Sequence, residues 1–289
     1  METLFPILST VAYILAGMAA LSLLEAGAPL HGRGAWNRKH LGANLALTFL
    51  TFLTNAPMNA ALVLALAWLE PLGVGLLPAL GLPPLAATVL AVLGLDFSFY
   101  VFHVTMHKLP VFWRFHRVHH SDPAVDVTTT VRQHPGEGVI RYAFLAVFAI
   151  ALGASPAAFA IYRTASALAA LLEHANLRLP PALDRALSLL FTWPNYHKLH
   201  HSRDARYTDT NYSNLVSVWD RLFATFTPSR LGTNVEYGLA GLDDTATQTT
   251  AGLLALPFRR EPATRATAAG RSRGDSPVRR SAAPDRHPA

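Results

Sequence analysis

Two pentapeptides repeat one pattern: HRVHH holds His116, His119 and His120, and HKLHH holds His197, His200 and His201. A shorter segment, HVTMH, places His103 and His107 four residues apart. Offsets of three and four put side chains on one face of a helix. Three helices carrying two or three imidazoles each can make a metal site, because neutral imidazole offers a lone pair that suits Zn, Cu, Fe or Ni. His134 in VRQHPGE and His174 in LEHANLRLP bring the candidates to ten of the 13 histidines. His31, His40 and His287 fit no such pattern. One zinc ion takes about four ligands, so ten imidazoles point to two ions with about four or five each.

A ligating imidazole donates its second N–H to an acceptor. The acids placed to orient ligands in this way are Asp96, Asp122, Glu137, Glu173 and Asp204, with Asp126 and Asp209 also close in sequence. Asp96 stands seven residues before His103 and shares its helical face. Tyr100, Tyr196, Tyr212 and Trp219 lie near the histidines and are candidates to line a substrate channel, with core packing as the competing role. The chain has no cysteine, which excludes disulfides, thiolate-held Fe–S clusters and thiolate-bound haem.

The elements that must position these residues are membrane helices. Apolar residues make up 51% of the 289 and charged residues only 15%. Leu4–Leu24, Leu41–Leu69 and Pro71–Leu95 contain no charge, and Tyr142–Leu172 contains only Arg163. Uncharged apolar runs of roughly 18 or more residues read as spans. The expected fold is all-α: about three spans, at 4–25, 41–69 with a bend near Pro57, and 83–107, followed by a helical hairpin over 138–173. Gly153-Ala154-Ser155-Pro156 breaks that hairpin into halves of about 15–17 residues, marginal for a crossing. A His-rich helical catalytic region caps these helices. The N-terminus lacks the basic region of a cleaved signal peptide, so the first run is expected to remain as an anchor.

Arg33, Arg38 and Lys39 precede the second span, and Lys108, Arg114 and Arg117 follow the third; the turn at 70–82 carries Glu70 and no Lys or Arg. The positive-inside rule then puts the histidines on the cytoplasmic side. Ala- and Arg-rich composition with only three Lys suggests a bacterial source and hence an inner membrane. The formal charge is +6, and residues 258–289 hold eight Arg against three acids. That Arg/Pro/Ala-rich tail reads as a disordered, solvated segment, so the basic balance is no argument for nucleic acid.

The order HVTMH (103–107), FHRVHHSD (115–122), HPGE (134–137), EHANLRLP (173–180) and YHKLHHS (196–202) resembles the fatty acid hydroxylase/sterol desaturase superfamily of histidine-rich, membrane di-iron oxygenases. TDTNYSNLVSVWDRLFATF (208–226) is similar to that family's C-terminal signature. Ser213 and Ala224 stand where glycine is common in relatives. The resemblance implies a catalytic domain over 93–227, preceded by transmembrane helices in 1–92 and followed by an extension, 228–257, and the tail. It implies iron-ligand roles for His103, His107, His116, His119, His120, His197, His200 and His201, and for His134 and His174. It further implies two iron ions, O₂ as co-substrate, and hydroxylation or desaturation of an unactivated C–H bond in a lipid such as a sterol or fatty acyl chain. With no flavin or nicotinamide fingerprint, electrons must come from an external ferredoxin, cytochrome or reductase. A zinc-dependent membrane hydrolase is the alternative, but no HExxH occurs. A metal transporter would carry histidines within its spans, and the long runs hold none.

Overall fold

Proline sets where the helices begin. In a computed structural model that describes residues 4–32 and 36–260, six of the helices start on a proline, where a missing N–H costs nothing and φ is already helical. The order is α1 (Leu4–Gly27), α2 (Trp36–Leu69), α3 (Leu76–Ala79), α4 (Pro84–Lys108), α5 (Pro110–His120), α6 (Pro135–Leu152), α7 (Pro156–His174), α8 (Pro181–Leu187), α9 (Pro194–His200), α10 (Ala205–Thr208), α11 (Val218–Leu222) and α12 (Thr250–Ala255). Short 3₁₀ turns fill several joints. Among the described residues only isolated bridges stand in for β-structure, so the all-α expectation holds.

Three stretches are long and apolar enough to cross a membrane by length and composition: His40–Ala79, Pro84–Lys108 and Pro135–Leu152. Their surfaces are inverted relative to a water-soluble protein. Leu53, Leu64 and Leu85 are 73%, 67% and 77% exposed, while His40, Asp96, Arg132 and Lys198 are fully buried. Apolar outside and polar inside is what lipid as solvent demands. The chain is an integral membrane protein. α2 is helical through Pro57. One detail differs from the sequence expectation. α6 has 18 residues, long enough to cross, because its helix begins at Pro135, inside a polar segment that the hydropathy pattern leaves out. The basic side chains Arg33, Arg38 and Lys39 and the tail at 261–289 lie outside the described residues.

The hairpin turn is built as its residues require. Gly153 ends α6 at φ 66°, a conformation that favours glycine, and Ser155 caps α7 by accepting from the Ala158 N–H at 3.1 Å. Pro110 forces Leu109 into extended backbone (φ −96°, ψ 118°), which ends α4 and folds α5 back against it. Trp193, extended before Pro194, does the same at the start of α9. The three histidine segments therefore meet.

The segment 208–226 clamps this arrangement. Asp220 is fully buried and accepts from the Tyr212 and Ser213 N–H groups at 2.8 Å, the Tyr196 hydroxyl at 2.6 Å and the Thr225 hydroxyl at 2.6 Å. Asn211 donates to the carbonyls of Tyr196 and Thr227. Downstream, Leu253 and Leu256 pack with Ala43, Leu47 and Val118, so residues beyond 227 also brace α5. Arg117, one of the basic residues that follow the third span, is buried, and donates to the carbonyls of Leu256 and Arg259 at 2.5 and 2.7 Å.

Ala224, one of the two departures from glycine, sits at φ 57° just past α11 and is exposed. Ala224→Gly is expected to stabilise the protein by about 1 kcal/mol, since a β-carbon is disfavoured at that backbone angle. A melting curve in detergent checks this, and an unchanged or lower midpoint would count against it.

Candidate metal centre

The histidines converge in two groups. His103, His107, His116, His120 and His200 form the first; His119, His174, His197 and His201 form the second. Each pentapeptide serves both. HRVHH gives its i, i+4 pair, His116 and His120, to the first group and His119 to the second. HKLHH gives its pair, His197 and His201, to the second group and His200 to the first. α4 completes the first group with two rings, and the last residue of α7, His174, completes the second.

Nε2 faces Nε2 within each group. His116 Nε2 lies 3.1 Å from His103 Nε2 and 3.2 Å from His120 Nε2. His174 Nε2 lies 3.1 Å from His119 Nε2 and 3.2 Å from His197 Nε2, which is 3.2 Å from His201 Nε2. Nitrogens bound at about 2.0–2.1 Å around one tetrahedral ion stand about 3.3 Å apart, so the spacing fits metal ligation. His200 Nε2 is buried and has no hydrogen-bond partner, as expected of a nitrogen whose partner is an ion.

The opposite nitrogens explain five of the ring orientations. His103 Nδ1 donates to the Tyr212 carbonyl, His200 Nδ1 to the Thr210 carbonyl and His174 Nδ1 to the Ala170 carbonyl, each at 2.7 Å. His116 Nδ1 meets Glu137 at 3.1 Å and His107 Nδ1 meets Asp209 at 3.2 Å. A proton held on Nδ1 leaves Nε2 with its lone pair free for a metal. Burial, reinforced by neighbouring imidazoles, pushes His119, His120, His197 and His201 well below the usual histidine range and His200 down to about 3. All five are neutral at neutral pH, the form that ligates.

Residues 88–225 match the model of the fatty acid hydroxylase family. Similar curated proteins are an alkylglycerol monooxygenase of Danio rerio, 33% identical over 152 residues (52% of this chain, 32% of the relative), and the ornithine lipid hydroxylase OlsE of Rhizobium tropici, 31% identical over 153 residues (52% and 45%). A cholesterol 25-hydroxylase-like protein of Danio rerio is 29% identical over 132 residues (45% and 51%). The chain spans about a third of the length of the alkylglycerol monooxygenase it matches. No solved structure gives a significant match.

Within the matched segment, nine of the ten candidate ligands are brought together and His134 is not. His134 sits at the N-terminus of α6, where its Nδ1 accepts from the Gly136 N–H at 3.0 Å and its Nε2 lies 3.2 Å from the Leu254 carbonyl. HPGE reads there as a helix cap.

The acids also sort differently from their sequence order. Glu137 bonds His116, and Glu173 lies 3.9 Å from His197 Nδ1, longer than a hydrogen bond. Asp96 instead accepts from Leu215 N, Val216 N and Trp219 Nε1, tying 208–226 to α4. Asp122 binds His40 and Asn44. Asp204 caps α10 and pairs with Arg206, away from the centre, while Asp209 takes the role on His107. The carbonyl acceptors at Tyr212, Thr210 and Ala170 carry no sequence signal at all.

Of the four aromatic candidates, the Tyr212 ring packs against His103, His107 and His200, with centroids 5.0–5.6 Å away. Tyr196 is fully buried with its hydroxyl on Asp220, a packing role. Tyr100 and Trp219 join Phe97 and Phe223 in an aromatic cluster beside α4. Glu137→Gln is expected to weaken metal retention by about 10–100-fold, measured by chelator competition; retention equal to the parent's would remove Glu137 from the centre.

Proposed function

We propose that the protein is a membrane-bound di-iron oxygenase that hydroxylates, or desaturates, an unactivated C–H bond of a membrane lipid. The observation that carries this is the pair of converging imidazole groups. Imidazole alone does not select iron. Iron is favoured because the similar proteins are named as monooxygenases and hydroxylases, and O₂ chemistry needs a redox metal. The same names favour hydroxylation over desaturation, and their alkylglycerol, ornithine-lipid and cholesterol terms share an amphiphilic lipid.

In this reading the nine histidines hold two irons, five on one and four on the other. When bound, the irons supply O₂ reduction: one oxygen atom enters the C–H bond and the other leaves as water, with two electrons and two protons drawn from outside. Glu137, Asp209 and the three carbonyls fix the rings of His116, His107, His103, His200 and His174. The ligands are 0–4% exposed, so the surrounding helices keep bulk water from the reacting carbon. Electrons come from a separate ferredoxin, cytochrome or reductase. The placement of positive residues favours an active site on the cytoplasmic face, in a bacterial inner membrane.

The test is turnover of a host's extracted lipids by iron-loaded protein, with a reductase and isotope-labelled O₂. A lipid carrying one labelled oxygen is the expected product. Hydrolysis products without label, formed by protein that retains only zinc, would overturn the proposal.

A further inference from the structure

Outside the three candidate spans and the long helices α1 and α7, a further part of the surface exposes large apolar side chains. The turn after α8 and the start of α11 lie side by side. The Ser217 N–H donates to the Leu190 carbonyl at 3.0 Å, the Thr192 N–H donates to the Leu215 carbonyl at 3.2 Å, and Arg221 Nη2 donates to the Ser188 carbonyl at 3.0 Å. Together the two segments expose Leu189, Leu190, Phe191, Val218, Leu222 and Phe223, by 45–67% each. Single exposed apolar residues are ordinary, but a contiguous set marks a binding surface.

The exposed charges in and next to these segments have one sign. The acids in these segments, Asp184 and Asp220, are 2% and 0% exposed, while Arg185 and Arg221 stand at the surface. Apolar side chains bordered by arginine fit a bilayer interface, where the chains enter the acyl region and the guanidinium groups reach headgroup phosphates.

Its height along α4 decides the occupant. Phe97 contacts Trp219 and Phe223 at ring-centroid distances of 5.0 and 5.7 Å, and Tyr100 stacks on Phe223 at 5.4 Å. At about 1.5 Å per residue, Phe97 and Tyr100 lie roughly 20 and 24 Å along the helix from Pro84. The hydrocarbon core is about 30 Å thick; with α4 entering it at Pro84, the start of its candidate span, the level at which α11 touches α4 falls within acyl chains.

We infer that the surface formed by residues 189–191 and 218–223 is seated in one leaflet of a phospholipid bilayer, as an interfacial element beside the spanning helices. Phe191 is six residues from His197, so, on the proposed function, lipid at this surface stands one short segment from the second histidine group.

The absence of cysteine makes the test direct. Full-length Leu190→Cys and Leu222→Cys variants are spin-labelled in nanodiscs of phosphatidylethanolamine and phosphatidylglycerol. Collision with O₂ is then compared with collision with a water-soluble nickel chelate. Leu64→Cys on α2 is the lipid reference and Arg206→Cys, whose parent side chain is 79% exposed, the aqueous one. The expected O₂-to-nickel ratio at 190 and 222 is several-fold above that at 206 and close to that at 64. A ratio equal to that at 206 would overturn the inference, and so would shielding from both reagents, which marks a second protein chain on the surface. If Leu190→Cys does not fold, Val218→Cys replaces it. No turnover is needed, so this can fail while the oxygenase proposal stands, and the reverse.

Discussion

His197→Ala/His201→Ala will lose one of two metal ions per chain and all lipid oxidation, while the other ion stays. The double variant strips two of the four imidazoles of the second group and none of the first. His103→Ala/His107→Ala should do the converse, removing two of the five in the first group. Losing a residue that merely orients a ligand costs about 10–100-fold in affinity; losing two ligands costs more, so the affected ion should vanish on purification. Combining the four changes should leave none. Metal analysis of detergent-purified protein, read beside a folding control, decides the matter. Two ions retained in either double variant would mean that the grouping does not describe the ligands. The sharper case is a mixed one: His116→Ala/His119→Ala takes one ligand from each group, and should weaken both ions rather than abolish one. That outcome separates the crosswise arrangement from one in which each pentapeptide serves its own ion.

Asp122→Ala will destabilise the protein by about 3–5 kcal/mol, the usual cost of leaving a buried charge without its counter-charge. Asp122 is fully buried. His40 Nδ1 lies 2.9 Å from it, Asn44 Nδ2 donates at 3.0 Å and Thr129 Oγ1 at 2.8 Å. Burial alone would raise its carboxyl, but the charges of Arg132 and His40 outweigh that and hold it well below the carboxylate range. Arg132, also fully buried, donates to Val118 O at 3.0 Å, Asn44 Oδ1 at 2.8 Å, Ser121 Oγ at 3.0 Å and Gln248 Oε1 at 2.6 Å. These bonds join α2, the end of α5 and the segment before α12 directly behind His119 and His120. Asp122→Ala should therefore also loosen metal binding, whereas Asp122→Asn, which keeps the shape and part of the bonding, should cost less. Thermal unfolding of the two variants in detergent is the measurement. Equal midpoints for Asp122→Ala and the parent would show that the network adds nothing.

Much of this protein was determined by local sequence. Long uncharged runs, prolines at helix starts and the Gly153–Pro156 break are local signals, and each produced the element it announced. Histidines at i, i+3 and i+4 had to share a helical face, because the backbone period fixes that. The ordered motifs at 93–227 overlap the stretch, 88–225, that matches the fatty acid hydroxylase model.

Tertiary structure decided what local periodicity cannot express. Spacing places His116, His119 and His120 on one face but does not say that 119 parts company with its neighbours; that depends on α9, which meets α5 from some eighty residues away. His134 looks like a ligand in a list of histidines and is a helix cap, because α6 begins beside it and its Nδ1 finds the Gly136 N–H. Asp204 and Asp209 are equivalent in the sequence, yet only Asp209 reaches His107, once the turn after α10 is set. Acceptors such as the Tyr212 carbonyl exist at every residue and become specific only through position. The chain alone determined which chemistry it carries; which imidazole serves which ion rests on contacts between distant segments, and no local rule encodes those.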